Sequence, residues 1–81
     1  MLWGFNMQYR LVAVSKRDMQ FKTFKSKSSC VQSALRTISS DSGLKYTECE
    51  RRPSSRASWR LFAKYEKDSE GDLLVTTWGR S

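Results

Sequence analysis

The clearest β-hairpin pattern in the chain is Trp59-Arg-Leu-Phe-Ala-Lys-Tyr-Glu66 followed by Asp72-Leu-Leu-Val-Thr-Thr-Trp78. Apolar side chains alternate with polar ones along most of the first segment, and the second is rich in residues that favour strands. Between them, Lys67-Asp-Ser-Glu-Gly71 contains the glycine that a tight turn favours. Two neighbouring antiparallel strands are therefore predicted.

A second hairpin is predicted at the start of the chain. Met7-Gln-Tyr-Arg-Leu-Val-Ala-Val14 alternates with the period of a half-buried strand, and Met19-Gln-Phe-Lys-Thr-Phe-Lys25 alternates in the same way. Ser15-Lys-Arg-Asp18 is short and polar, as a turn requires. Residues 1–6 precede this hairpin and are predicted to be an N-terminal extension, either a further edge segment or a loose end.

One helix is predicted over residues 28–40. Ser26-Lys-Ser-Ser29 supplies N-cap candidates, and Gly43 can adopt the left-handed conformation that ends many helices. Four apolar residues with i, i+3, i+4, i+7 spacing form one stripe along this helix: Val31, Ala34, Leu35 and Ile38.

Between the helix and the C-terminal hairpin, Leu44-Lys-Tyr-Thr-Glu-Cys-Glu50 is predicted as a strand and Arg51-Arg-Pro-Ser-Ser-Arg-Ala-Ser58 as an exposed basic loop. A chain of 81 residues has room for one domain. The order β-β-α-β-β-β with short links predicts a single α+β domain over residues 7–81. In this domain, an antiparallel sheet of four to five strands carries one helix on one face.

The composition indicates a folded, strongly basic protein. Hydrophobic residues make up 38% of the chain and aromatic residues 12%, which is enough apolar surface for a core. Fifteen Lys and Arg against eight Asp and Glu give a formal net charge of +7. A charge of this sign favours polyanions and acidic surfaces, and nucleic acid is the commonest such partner.

Two basic segments are the candidate partner-binding residues, and a short acidic turn follows them. The turn from Glu66 to Asp72 contains four acidic residues. Positive and negative charges are thus separated along the chain, which would orient the protein on a polyanion. The first segment contains Arg10, Lys16, Arg17, Lys22, Lys25 and Lys27, and the second contains Arg51, Arg52, Arg56 and Arg60.

Trp59 stands among these arginines, and two roles are open for it. Its indole can stack on a base or anchor a protein interface. The strand alternation instead packs it against the helix stripe, on the same face as Leu61 and Ala63.

The arginine loop also has two interpretations, a partner contact through guanidinium groups or a solvated crossover. If it is exposed, replacing Arg51, Arg52 and Arg56 by alanine is expected to weaken partner binding and leave thermal unfolding nearly unchanged. Arg51-Arg-Pro-Ser54 also matches a basophilic kinase site, a short pattern that is frequent by chance.

Catalytic chemistry is poorly represented in the sequence. The chain has no histidine, so the usual triads and acid-base pairs are absent, and we expect a protein that is not an enzyme. Neither a metal nor a cofactor is expected, since Cys30 and Cys49 lack further ligands and the glycines form no phosphate-binding loop. Cys30 is either a reactive thiol at the helix N-terminus or a buried side chain. The two cysteines are either reduced in the cytoplasm or paired in a disulfide.

Three segments together suggest a family resemblance: Tyr9-Arg-Leu-Val-Ala-Val14, the Phe24-Lys-Ser-Lys-Ser-Ser29 lead into a helix that contains Ala34-Leu35, and Trp59-Arg-Leu-Phe-Ala-Lys-Tyr65. This layout resembles small phage-encoded anti-CRISPR proteins that pack one helix against an antiparallel sheet. The resemblance covers residues 7–78 and rests on element order, without a diagnostic motif. It implies a stoichiometric inhibitor of a CRISPR effector, and it transfers no site residues.

The sequence thus predicts a basic binding protein located in the cytoplasm, with no membrane association. Its expected partner is nucleic acid or a ribonucleoprotein effector complex. The alternative is a protein-directed inhibitor or adaptor whose basic face meets an acidic surface of a host protein.

Overall fold

A computed structural model of the chain describes residues 7–79. The residues predicted as an N-terminal extension, 1–6, lie outside the described part. Within residues 7–79, one helix and five antiparallel strands occur in the predicted order, which confirms the α+β fold. The elements are β1 (Gln8–Ser15), β2 (Met19–Phe24), α1 (Lys27–Ser40), β3 (Leu44–Arg52), β4 (Arg60–Lys67) and β5 (Leu73–Thr77).

These strands form one sheet in the order β2-β1-β3-β4-β5, so β2 and β5 are its edges in the described part of the chain. Both predicted hairpins are present, and α1 connects β2 to β3 so that β3 lies on the other side of β1. The helix packs on one face of the sheet, against β1 to β4. Within residues 7–79 it makes no contact with β5.

The helix begins where the cap residues predict and ends differently from the prediction. Ser26 is the N-cap, and its Oγ accepts a hydrogen bond from the Ser29 N–H at 3.2 Å. Gly43 does not take the left-handed conformation, so this part of the prediction is wrong. The extended Asp41 caps the C-terminus instead, and its carboxylate accepts a hydrogen bond from the Gly43 N–H at 2.9 Å.

The apolar core lies between the helix and the middle strands. The buried stripe of the helix is Cys30, Ala34 and Ile38, and the predicted Val31 and Leu35 flank it as half-buried residues. These three contact a cluster of strand residues on the same face of the sheet: Leu11, Cys49, Phe62, Ala63 and Tyr65. At the centre, the Oγ1 of the buried Thr47 donates a hydrogen bond to the Ala34 carbonyl at 3.2 Å.

A β-bulge in β4 overturns the predicted alternation of this strand. Cys49 pairs with Ala63, but its neighbour Glu50 pairs with Leu61, so one extra residue, Phe62, is inserted. As a result both Phe62 and Ala63 are buried in the core. Residues before the bulge are displaced by one position, so Trp59 lies on the face away from the helix rather than against the helix stripe.

The predicted loop is also shorter than expected. Arg51 and Arg52 belong to β3, where they pair with Tyr9 and Gln8 of β1. Both arginines are half-buried, and the connection between β3 and β4 begins only at Pro53. Alanine at Arg51 and Arg52 would remove half-buried side chains that pack on the sheet. The expectation that the triple alanine variant leaves thermal unfolding nearly unchanged is therefore not supported.

Candidate nucleic-acid interface

The sheet register gathers most of the predicted basic residues at one end of the molecule. Gln8 at the start of β1 pairs with Arg52 at the end of β3, and Tyr9 pairs with Phe24 at the end of β2. The start of α1 and the 53–58 connection lie at this same end. We call this group the basic end: Arg10, Lys22, Lys25, Lys27, Arg51, Arg52, Arg56 and Arg60.

Two of the predicted residues lie elsewhere. Lys16 and Arg17 occupy the β1–β2 turn, roughly 20 to 25 Å from the start of β1 along the strand. They share this opposite end with the acidic turn around Asp68 and Asp72, because Glu66 pairs with Tyr46 and Tyr46 pairs with Val14. The structure therefore divides the first basic segment between two ends of the domain.

Trp59 immediately precedes β4, and its ring lies on the face of the sheet away from the helix, against arginines of β1 and β3. The guanidinium carbon of Arg10 is 4.6 Å from its ring centroid, and that of Arg52 is 4.2 Å away. Both distances are typical of cation-π contacts. The indole therefore holds the guanidinium groups of Arg10 and Arg52 side by side on this face.

The two arginines beside Trp59 differ in how much of their hydrogen-bonding capacity the protein uses. Arg10 donates from Nε and Nη2 to the same carboxylate oxygen of Glu50, both at 2.7 Å, and this ion pair is half-buried. Arg52 donates from Nε to Gln8 Oε1 at 2.7 Å. Within residues 7–79 its two terminal nitrogens have no hydrogen-bond partner, so Arg52 is held in place with its outer donors open to a ligand.

A second aromatic ring holds cations on the helix side of the sheet. The Lys27 ammonium lies 5.4 Å, and the Arg51 guanidinium carbon 5.6 Å, from the Phe62 ring centroid. Lys27 belongs to the first turn of α1, and Arg51 extends from β3. The bulge that buries Phe62 therefore also fixes two positive charges at the rim of the core.

The remaining arginines of the basic end are more exposed. Arg56 lies in the 53–58 connection, where the Ala57 N–H donates to the Ser54 carbonyl at 3.2 Å, and Arg60 begins β4. Both side chains are exposed. A cleft at this end is lined by Tyr9 and Pro53 together with Arg51 of β3 and Arg60 of β4. Its two arginines thus come from the strands on either side of the connection.

No protein-family model, curated protein or solved structure matches this chain. The functional assignment therefore depends on the geometry of the described residues.

Groups that would indicate metal binding or a membrane span do not occur in the described part. No cluster of three or more His, Cys, Asp or Glu side chains is placed to hold a metal ion between residues 7 and 79. In the same range, no helix has the length and apolar character needed to cross a membrane.

The two cysteines lie in the core and are not joined by a disulfide. Both are fully buried, and the Cys49 thiol is 3.8 Å from the Cys30 carbonyl oxygen. The hydrogen bond to the Cys30 thiol and burial raise the pKa of Cys49. Of the two interpretations offered for Cys30, the geometry matches the buried side chain.

Three residues that contact the cations of the basic end were not predicted from the sequence. Gln8 orients Arg52, Glu50 neutralises Arg10, and Phe62 lies beneath Lys27 and Arg51. Each acts across strands that are far apart in the chain. The alternation of β1 and β3 predicts which face of the sheet Gln8 and Glu50 occupy. The face of Phe62 is not predictable in this way, because the bulge interrupts the alternation of β4.

Glu48 provides a test of the electrostatics on the face away from the helix. Burial raises the pKa of its carboxyl, and repulsion from Glu50 acts in the same direction against the attraction of Lys64. Because the folded-state pKa is raised, the ionised carboxylate lowers stability at neutral pH, and the loss disappears as the pH falls through that pKa.

Glu48→Gln is therefore expected to raise the melting temperature at about pH 7 and to have a smaller effect near pH 4, where the wild-type carboxyl is protonated. Thermal unfolding of both proteins at the two pH values measures this difference. A lower melting temperature for the variant at neutral pH would mean that the attraction of Lys64 outweighs burial.

Proposed function

We propose that this protein is a non-enzymatic nucleic-acid-binding protein that contacts phosphates through its basic end. The observation that carries the proposal is the gathering of eight basic residues at one end of the described domain, contributed by β1, β2, the β2–α1 link, α1, β3, the 53–58 connection and β4. Glu50 of β3 is an acid among them. That acid is already paired with Arg10. The other cations keep a positive field that a polyanion would neutralise.

Arg52 supports the proposal through its geometry. Its stacking on Trp59 and its bond to Gln8 restrict the side chain before any ligand binds, which lowers the entropy cost of a contact. A guanidinium group can then donate two parallel hydrogen bonds to phosphate oxygens. Arg56 and Arg60 are exposed, as are the lysines near the start of α1. These side chains can add electrostatic contacts to phosphates that do not require a fixed side-chain orientation.

An exposed aromatic ring near Arg10 bears on the form of nucleic acid that the protein binds. Phe21 on β2 is more than half exposed, and the Arg10 guanidinium carbon lies 4.8 Å from its ring centroid. An exposed ring beside a cation is a surface on which an unpaired base can stack. We therefore expect single strands to bind at least as tightly as duplexes.

Fluorescence anisotropy with labelled single-stranded and double-stranded DNA and RNA tests the proposal. If about four phosphates are neutralised, the logarithm of the association constant should fall with the logarithm of salt with a slope of roughly −3 for single strands. An absence of binding at about 50 mM salt, or an affinity that does not depend on salt, would rule out direct nucleic-acid recognition.

A protein partner is the second candidate, because guanidinium groups pair with carboxylates as well as with phosphates. The observation in its favour is the cleft beside Arg51 and Arg60, which combines apolar Tyr9 and Pro53 with positive charge. Affinity purification with mass spectrometry distinguishes an acidic protein target from a nucleic acid. Inhibition of a CRISPR effector, which the family resemblance implies, and a cytoplasmic location remain predictions.

A further inference from the structure

The edge strand β5 exposes an unusual amount of apolar surface. Leu73, Leu74 and Val75 are 42%, 48% and 53% exposed, and Trp78 beyond the strand is 43% exposed. The cause is the position of the helix, which covers β1 to β4 and, in the described residues, leaves β5 without a contact. An apolar strand of this kind is typical of an interaction site.

The backbone of β5 is also open on its outer side. Two hydrogen bonds at its ends, from the Asp68 N–H to the Asp72 carbonyl and from the Trp78 N–H to the Phe62 carbonyl, show which residues bond to β4. Because antiparallel bonding alternates along a strand, the intervening residues direct their N–H and C=O groups outward. These residues are Leu73, Val75 and Thr77, and within the described part of the chain no strand lies beyond them.

The two edges of the sheet differ in their protection. Edge strands usually carry a charge, a proline or a bulge, which discourages pairing with another chain. Lys22 lies in the middle of β2, whereas Leu73-Leu-Val-Thr-Thr77 has neither a charge nor a proline, and its register with β4 is regular. Therefore β5 is the edge that remains competent to pair.

The charge distribution favours a second copy of the same chain as the occupant. Asp72 and the acidic turn adjoin the start of β5, whereas Lys27 and Arg51 line a cleft with Thr77 and Trp78 at its end. In an antiparallel pair of two copies, the acidic end of each strand meets the basic end of the other. The two-fold symmetry creates this complementarity twice.

We propose that β5 pairs antiparallel with β5 of a second copy, with Val75 opposite its own counterpart on the two-fold axis. In this register Leu73 of each chain faces Thr77 of the other, and all three outward-directed residues form backbone hydrogen bonds. The two sheets become continuous, and the apolar side chains of β5 are covered by their symmetry mates.

Sedimentation equilibrium of nucleic-acid-free protein at about 100 μM tests the proposal. The expected mass is twice the 9.4 kDa of the chain. Val75→Lys places two like charges opposite each other and should weaken self-association about tenfold or more. Gln20→Lys adds the same charge to the exposed β2 edge and should leave the dimer intact, and circular dichroism shows that both variants are folded.

A cross-linking experiment tests the register independently. Opposed residues in a hydrogen-bonded antiparallel pair have Cα atoms about 5.5 Å apart, which suits a disulfide. Val75→Cys should therefore form a covalent dimer under mild oxidation, whereas Gln20→Cys should not. A monomeric wild-type protein, a dimer that persists in Val75→Lys, or equal cross-linking of the two cysteine variants would overturn the proposal. None of these outcomes depends on nucleic-acid binding.

Discussion

Replacing Arg56 and Arg60 together by alanine is expected to weaken binding to single-stranded nucleic acid about 25-fold at 0.1 M salt. Each lost phosphate contact should make the slope of the logarithm of the association constant against the logarithm of salt shallower by about 0.7, so the double variant should lose about 1.4. If the electrostatic term vanishes near 1 M salt, this slope difference corresponds to a factor of about 25 at 0.1 M. Anisotropy titrations over a range of salt concentrations measure both quantities.

The matched control is Lys16→Ala with Arg17→Ala. This variant removes the same formal charge, but from the opposite end of β1, so its affinity should change much less. All four side chains are exposed, and their loss should alter stability by less than about 0.5 kcal/mol each. Equal weakening by the two double variants would show that net charge, rather than the basic end, determines binding.

Replacing Ile38 by alanine is expected to lower the free energy of unfolding by about 2 to 5 kcal/mol. Ile38 is 1% exposed and lies in the core cluster with Leu11 and Tyr65, so its truncation leaves a cavity beneath the helix. Domains of this size are stable by only about 5 to 15 kcal/mol, so the loss is a large fraction of the total. Chemical denaturation monitored by circular dichroism measures it.

Leu35→Ala is the control for the core prediction. Leu35 lies on the same helix and changes by a similar volume, but it is only half-buried. A smaller loss of stability is expected, because part of its surface already faces water. If the two variants were equally destabilised, the buried stripe would not be centred on Cys30, Ala34 and Ile38.

Much of the fold is predictable because local patterns and tertiary packing agree. The alternation of residues 7–14 matches β1, whose odd-numbered Tyr9 and Leu11 face the helix. The apolar stripe and the serine cap place α1 within one residue of its observed limits. The predicted turn at Gly71 is also present. Gly71 has a φ of 84°, a backbone conformation that residues with a side chain rarely adopt.

The candidate site was predicted less completely, because its geometry depends on pairing between distant strands. The sequence identifies the arginines and lysines as a set, but Arg10 and Arg52 meet at Trp59 only because β1 lies beside β3. The extent of β3 was underestimated because Arg51 and Arg52 precede a proline and several serines. Their pairing with β1 and their stacking on rings stabilise an extended conformation there.

Periodicity and composition are enough to predict the element order, most of the buried face of the helix and the excess of positive charge. Two features depend on tertiary contacts. The pairing of distant strands brings the cations of the basic end together, and the bulge at Phe62 sets the face that Trp59 occupies. Side chains alternate with a period of two, so one inserted residue reverses the faces of every residue before it, and only the partner strand determines where that insertion occurs.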